Sequence, residues 1–461
     1  MSASLLSADS AAAERSRDLL ADFPHFADAP GLPQARMLVE YVMGRRSGEL
    51  DVSGRDAAGS FIAAEEVAAV PHDIIVIDDA RGIQAALLSR LAEVAVHHDR
   101  LDESRTAAVV ADGAQIPLPE EIPALDELGN ARFATGRDVE PGSARATGGD
   151  AETDSARATG STASAGEFDR ETWAVINAPK AVSALAESVT ALQAHVSTII
   201  VIGRSDAMSR AVNKELSRGF GRVDVSPGVG KHRMIIGSRR LSSPSLPDFP
   251  KQGTIAHPRV GDIAVRAHGA CFSGVKSDEG STLLLDALLG LLPGASSAAV
   301  PTDAHSASGQ MEGRTPNSVL DLGCGNGWLL TAVIRATGAS RGVGVDVSKA
   351  AVASARATTE ANGIDADIVL GDAADPDDDA VVALGSFDLI VLNPPFHQGT
   401  TIETDTAEAL MTTAAAHLAP GGRVLTVFNT HLQYRQRLES RIGPSEQLAR
   451  NSKFTVIVSR A

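Results

Sequence analysis

Cysteine is nearly absent from this 461-residue chain: Cys271 and Cys324 are the only two. Two thiols cannot build a disulfide framework or a cysteine zinc site, and they read as reduced thiols of a cytoplasmic protein with no metal expected. Aromatic residues are scarce too, at 3% against 43% hydrophobic residues, so the cores must be packed from Val, Leu, Ile and Ala. No apolar run approaches the ~18 residues a membrane-spanning helix needs. Asp9, Glu14, Arg15, Arg17 and Asp18 break up the first twenty residues, which excludes a signal-peptide core there. Positive charge is in deficit, with 41 Lys and Arg against 58 Asp and Glu and a formal net charge of −17. Such a chain repels a phosphate backbone at long range, which excludes indiscriminate nucleic-acid binding but not a local basic face.

What is present is unevenly spread. Between Arg204 and Arg240 nine Lys and Arg face three Asp and Glu, and Lys231, Arg233, Arg239 and Arg240 belong to that group. From Asp102 to Arg170 the balance reverses, with fourteen acids against six Arg. The span 102–168 is also rich in Ala, Gly, Ser, Thr and Pro, and it repeats Ser-Ala-Arg-Ala-Thr-Gly at 143–148 and 155–160. It is expected to be a low-complexity insertion, too poor in apolar residues to offset chain entropy. Three prolines mark 241–250 as a linker, and 294–317 reads as a second insertion. The length allows two domains, placed at 1–245 and 255–461.

Between these segments short apolar runs alternate with helical patterns. In the first half the runs are 73–78, 173–177 and 198–202, and the stretch 83–97 after the first one reads as helical. In the second half the strand candidates are 318–322, 342–347, 366–370, 387–392, 423–428 and 454–458, with helical patterns at 328–337, 350–362 and 405–418. This alternation predicts an α/β fold built on an open, doubly wound sheet, with ligands at the carboxyl ends of its strands.

The strongest local signal is Val319-Leu-Asp321-Leu-Gly323-Cys-Gly325-Asn-Gly327, lying between a strand and a helix. Glycines there let a ligand approach the backbone. The spacing is not the dinucleotide fingerprint, and it suits a ligand without a pyrophosphate. The methionine part of S-adenosylmethionine carries an ammonium that Asp321 or nearby carbonyls can hold. Asp346 ends the next strand, where a carboxylate can accept from both ribose hydroxyls of an adenosine. Asp372, after the third strand, can accept from the adenine amine, although Asp375, Asp377, Asp378 and Asp379 crowd the same loop.

Directly after the strand 387–392 comes Asn393-Pro394-Pro395-Phe396. The nitrogen of an aromatic amine is a poor nucleophile, because its lone pair is delocalised into the ring. Two acceptors aimed at its N–H bonds localise that lone pair without a strong base. The Asn393 side chain and the Pro394 carbonyl are the expected acceptors, and Phe396 offers a flat face for a base taken out of its stack.

Taken together and in this order, Asp321–Gly327, Asp346 and Asn393-Pro-Pro-Phe-His397 resemble the bacterial ribosomal RNA guanine-N2 methyltransferases. The likeness extends to His397-Gln398, Phe272-Ser273, Asn429-x-His431-Leu432 and Asn451-x-Lys453-Phe454, and it covers about residues 255–461. It implies a class I methyltransferase fold, S-adenosylmethionine as cofactor, Gly323, Gly325, Gly327 and Asp346 at the cofactor, Asn393 as the catalytic amine-binding residue, and 16S or 23S ribosomal RNA as partner. The family also carries a degenerate N-terminal copy of the same fold. Here Ile74–Asp78 leads into Asp79-Ala80-Arg81-Gly82, with one glycine where the later copy has three. Asn177-Ala178-Pro179-Lys180 stands where Asn393-Pro394-Pro395-Phe396 stands later. This first copy is expected to hold RNA through 204–240 and to do no chemistry. Two other readings remain open at this point. One is an amino-methyltransferase acting on DNA adenine or protein glutamine, and the other is a non-catalytic RNA-binding assembly factor.

Overall fold

The apolar runs become the centres of two seven-stranded sheets with the same strand order. The computed structural model describes residues 5–6, 10–47, 54–55, 61–62, 71–113, 120–125, 171–292, 315–394 and 401–461. Strands β1 (Gly54–Arg55) and β2 (Phe61–Ile62) form a small antiparallel ladder. The first large sheet comprises β3 (Asp73–Ile77), β4 (Glu93–His97), β5 (Glu120–Glu121), β6 (Thr172–Asn177), β7 (Thr198–Arg204), β8 (Phe220–Val225) and β9 (His232–Arg240). Its order is β5-β4-β3-β6-β7-β9-β8. A hairpin of β10 (Lys251–His257) and β11 (Gly261–Ala267) follows. The second sheet holds β12 (Ser318–Leu322), β13 (Arg341–Asp346), β14 (Asp367–Leu370), β15 (Phe387–Leu392), β16 (Leu418–Asn429), β17 (Ser445–Arg450) and β18 (Phe454–Arg460). Its order is β14-β13-β12-β15-β16-β18-β17, the same pattern again.

In each sheet five parallel strands are closed by an antiparallel pair, β9 with β8 and β18 with β17. Parallel strands are covered on both faces, so they need continuous apolar sequence. Ile74 to Ile77, Ile199 to Ile202 and Leu389 to Leu392 are all buried accordingly. Each such side chain contributes roughly 1.5–3 kcal/mol by leaving water. The strand order reverses between β12 and β15, and between β3 and β6, which opens a crevice at their carboxyl ends.

Three segments differ from the sequence expectation. The stretch 83–97 is a short helix, Ile83–Leu88, followed by β4. Ala85 to Leu88 are all buried, so the apolar residues there lack the polar face that periodicity relies on. The span 102–168 is not wholly insertion: the helix Leu101–Gly113 and strand β5 belong to the fold, and Ile122 is 2% exposed. Acidic, alanine-rich composition masked a helix whose small residues pack closely against its neighbours. The remainder, 114–119 and 126–170, lies outside the described residues, as do 293–314. Finally, the antiparallel pairs β8–β9 and β10–β11, and the strand β17, escaped the sequence reading, because charged residues and Gly dilute the apolar alternation of β8, β10, β11 and β17.

The hairpin of β10 and β11 lies along the helix Lys349–Ala361. Main-chain N–H groups of Ala264, Arg266 and His268 donate to Asn362, Thr358 and Ser354 at 3.1, 3.0 and 2.9 Å. Polar residues four apart share one helix face, so this edge is satisfied by side chains in register. The segment 268–276 is thereby delivered to the mouth of the crevice.

Candidate active site

The turn after β12 carries Gly323, Gly325 and Gly327 at φ of +83°, +53° and +73°. A Cβ built on Gly323 or Gly325 would meet no atom within 4 Å, so these two leave open space above the turn. Gly327 serves packing instead, because a Cβ there would come within 2.8 Å of Ala355 Cα. The structure therefore divides the three glycines between ligand approach and helix crossing.

Asp321 sits beneath this turn and is 2% exposed. Its Oδ2 is buried and has no hydrogen-bond partner among the described residues. Burial, reinforced by the Asp346 carboxylate, pushes its pKa up to about 7. A buried acid left without a donor is costly unless a cation or donor completes it. Asp346, half-buried at the end of β13, accepts from Gly325 N at 2.9 Å through Oδ2 and from Ser348 N at 3.0 Å through Oδ1. Burial raises its pKa as well. Asp372 follows β14, and its Oδ1 accepts from Ala374 N at 2.9 Å while its own N–H donates to Asp378 at 3.1 Å. Burial raises its pKa. The open turn and the orphaned carboxylate oxygen fit a cationic ligand with a hydroxyl-bearing body, as expected for S-adenosylmethionine.

Asn393 directly follows β15, whose Leu392 pairs with Leu322 at the base of that turn. Its Nδ2 donates to Asp278 Oδ2 and to Ser281 Oγ, both at 2.9 Å. Asp278 caps the helix Glu279–Leu291, where the same Oδ2 takes the N–H of Ser281 at 2.9 Å. Two acceptors hold the amide nitrogen, so the amide oxygen turns the other way. Among the described residues nothing donates to that oxygen. Asp278 and Ser281 were not singled out from the sequence. The signal was available: Asp278-x-x-Ser281 opens a long apolar helix in the manner of an N-cap. Pro394 is buried, and Pro395, Phe396, His397 and Gln398 lie outside the described residues.

Other motifs from the sequence gather at the same end. Asn326 Nδ2 donates to the Gly274 carbonyl at 2.8 Å, which ties Phe272-Ser273-Gly274 to the glycine turn. Ser273 and Gly274 both take positive φ, at +63° and +55°, and Phe272 is 53% exposed. Asn451 Oδ1 accepts from the N–H groups of Lys453 and Phe454, and Lys453 Nζ pairs with Glu279 at 2.6 Å, one residue from Asp278.

The first sheet allows a residue-by-residue comparison. Ile77 pairs with His97 and Leu322 with Val345, so Asp78 stands at the place of Gly323 and His98 at that of Asp346. Ile77 also pairs with Ile176 and Leu322 with Leu392, which aligns Asn177 with Asn393. Gly82 repeats Gly327: φ is +66°, and a Cβ would come within 2.9 Å of Ala107 Cα. The packing glycine is kept and the ligand-facing ones are gone. Asp78 fills the open position, at φ +55°, with its carboxylate on Asp99 N at 2.9 Å. Asn177 is consumed internally, because its Oδ1 accepts from Gln84 at 2.6 Å and its Nδ2 donates to Ile77 O at 3.1 Å.

Within the basic stretch, Arg222 is buried and paired with Asp224 at 2.6 Å, and Arg204 pairs with Asp206. Lys231, Arg239 and Arg240 are exposed, and Arg233 is half-buried. Among the described residues no helix is long and apolar enough to cross a membrane.

Comparison with known proteins agrees with this geometry. Residues 308–458 match the methyltransferase small domain family. The chain is 36% identical over 200 residues to a ribosomal RNA small subunit methyltransferase C of Pseudomonas aeruginosa, covering 43% of this chain and 52% of that one. It is 30% identical over 258 residues to the protein of that name from Yersinia enterocolitica, covering 56% and 65%. The matched stretch thus spans about half to two thirds of these relatives. A solved T. thermophilus 16S rRNA N2 methyltransferase, in complex with AdoMet and guanosine, superimposes with a TM-score of 0.59 at 22% identity, over 86% of this chain and 90% of that one. The fold is a class I methyltransferase fold present in two copies, and over the matched stretch the chain is similar to the ribosomal RNA small subunit methyltransferase C proteins.

Proposed function

We propose that this chain is an S-adenosylmethionine-dependent methyltransferase acting on the exocyclic N2 of a guanine in ribosomal RNA. The observation that carries the reading is the fixed amide of Asn393. Asp278 and Ser281 take its nitrogen, leaving its oxygen as an acceptor beside the glycine turn. Bound there, S-adenosylmethionine supplies a methyl group on a sulfonium. Asp321 holds the ammonium, Asp346 the ribose hydroxyls and Asp372 the adenine edge, over the space that Gly323 and Gly325 leave open. Asn393 Oδ1 accepts one N–H of the guanine amine and the Pro394 carbonyl accepts the other, which localises the lone pair on N2. Phe396 stacks on the base. The N-terminal copy binds RNA through the exposed Lys231, Arg239 and Arg240, with help from Arg233, and the acidic segment 102–168 takes no part in that contact.

Two features favour RNA guanine over DNA adenine or a protein glutamine. The relatives carry ribosomal RNA names, and position 396 is Phe rather than Tyr. The orphaned Asp321 oxygen and the open glycine turn speak against a non-catalytic assembly factor. The test is nucleoside mass spectrometry of ribosomal RNA from cells with and without the protein, followed by mapping of the modified position. Loss of one N2-methylguanosine is expected. An unchanged N2-methylguanosine content, or a lost N6-methyladenosine, contradicts the reading.

A further inference from the structure

The segment after β4 in the degenerate copy, with the helix Leu101–Gly113 that it leads into, abuts the loops that carry Asp346 and Asp372. Residues 99–101 run antiparallel to 347–349: Leu101 N donates to Val347 O at 3.0 Å and Lys349 N to Asp99 O at 2.8 Å. The Asp99 carboxylate then reaches over the start of the helix Lys349–Ala361. Its Oδ1 accepts from Ala350 N at 2.8 Å, and its Oδ2 accepts from Ser348 Oγ at 2.7 Å. A carboxylate there meets otherwise unpaired N–H groups and the positive end of the helix. Ser348 is the residue whose N–H holds Asp346 Oδ1.

A second contact repeats this relation at the neighbouring loop. Arg105, on the helix Leu101–Gly113, donates to Asp378 Oδ2 at 2.8 Å and to Asp375 at 3.3 Å. The same Asp378 oxygen accepts the N–H of Asp372. Lys349 adds a pair with Glu121 at 2.6 Å. Asp346 and Asp372 are therefore each one hydrogen-bonded residue removed from a side chain of the other copy.

From this we infer that Asp99 and Arg105 are positioning residues for the cofactor site of the C-terminal copy. The first copy has lost its own ligand-facing glycines, and the end of its sheet now sets the loops that hold the ribose and the adenine. This deepens the proposed function and rests on it, since it presupposes that Asp346 and Asp372 face the cofactor. It assigns the two side chains no contact with cofactor or RNA.

The experiment is calorimetric titration of the full-length chain with S-adenosylmethionine, alongside its thermal midpoint. Losing one side-chain cap weakens a helix start by about 1 kcal/mol, so Asp99→Ala is expected to weaken cofactor binding roughly fivefold. Asp99→Asn should fall between it and the wild type, and it covers the case in which Asp99→Ala does not fold. Arg105→Ala should have a smaller effect in the same direction, and the double variant should lose on the order of tenfold or more. A control matched in midpoint, Val212→Ala in the first core away from this contact, should bind as the wild type does. The inference is overturned if folded Asp99 and Arg105 variants bind with wild-type affinity, or if the Val212 control loses as much. Failure of the wild-type chain itself to bind would instead remove the proposed function.

Discussion

Asn177 and Asn393 occupy the same register position in two sheets with the same strand order, and they use the same amide in different ways. Asn393 gives its nitrogen to Asp278 and Ser281, and among the described residues its oxygen accepts nothing. Asn177 gives both ends to groups of its own copy, chiefly Gln84. The glycines divide along the same line. Gly82 and Gly327 are both retained because helix crossing demands them, whereas Gly323 is matched by Asp78. What survives in the first copy is what the fold needs, and what differs is what a ligand needs. The asymmetry locates chemistry more firmly than either site does alone.

The largest expected effect follows from that asymmetry. Asn393→Ala removes one of two acceptors and should lower the rate roughly 10²-fold or more, by analogy with lost preorganised hydrogen bonds at other active sites. Cofactor affinity should hardly move. Asn177→Ala should leave turnover near wild type, at some cost in stability. Steady-state methylation of ribosomal RNA measures both, and comparable losses in the two variants would erase the distinction between the copies.

Much of this was legible in the sequence. Six of the seven strands of the second copy stand out as apolar runs, β17 being the one missed, and the glycine turn, Asp321, Asp346 and Asn393 stand out because their residue types are rare in that spacing. The Asn177 and Gly82 correspondences were visible for the same reason. Less legible were relations between segments distant in the chain. Asp278 reaches Asn393 across 115 residues, and Asp99 reaches Ala350 across 251, distances no local pattern encodes. The helix Leu101–Gly113 was hidden by composition, since alanine and acid on a short helix look like the low-complexity sequence that follows.

A smaller effect should attend Asp278→Ala. The Asn393 nitrogen would keep Ser281 alone and its amide could turn, so kcat should fall on the order of tenfold with the cofactor dissociation constant little changed. An unchanged kcat in a folded variant would mean that Asn393 is held by something else.

The smallest effect concerns pH. The Asp321 carboxyl is pushed up to about 7, and only its ionised form attracts an ammonium. Below that pH a growing share of empty sites carries the neutral acid, so affinity for S-adenosylmethionine should weaken several-fold from about pH 8 to about pH 6, with proton release on binding. Asp321→Asn should bind more weakly and show a flat profile over this range. A pH-independent affinity in the wild type would remove Asp321 from the ammonium site.

The central claim is that one copy holds the cofactor and the other has given up its site. Calorimetric stoichiometry of S-adenosylmethionine on the full chain addresses it directly. The account predicts one site per chain, abolished or severely weakened by Asp346→Ala and retained when His98, its counterpart in the first copy, is replaced by Ala. Two sites per chain, or a single site lost with His98 and kept without Asp346, would contradict it.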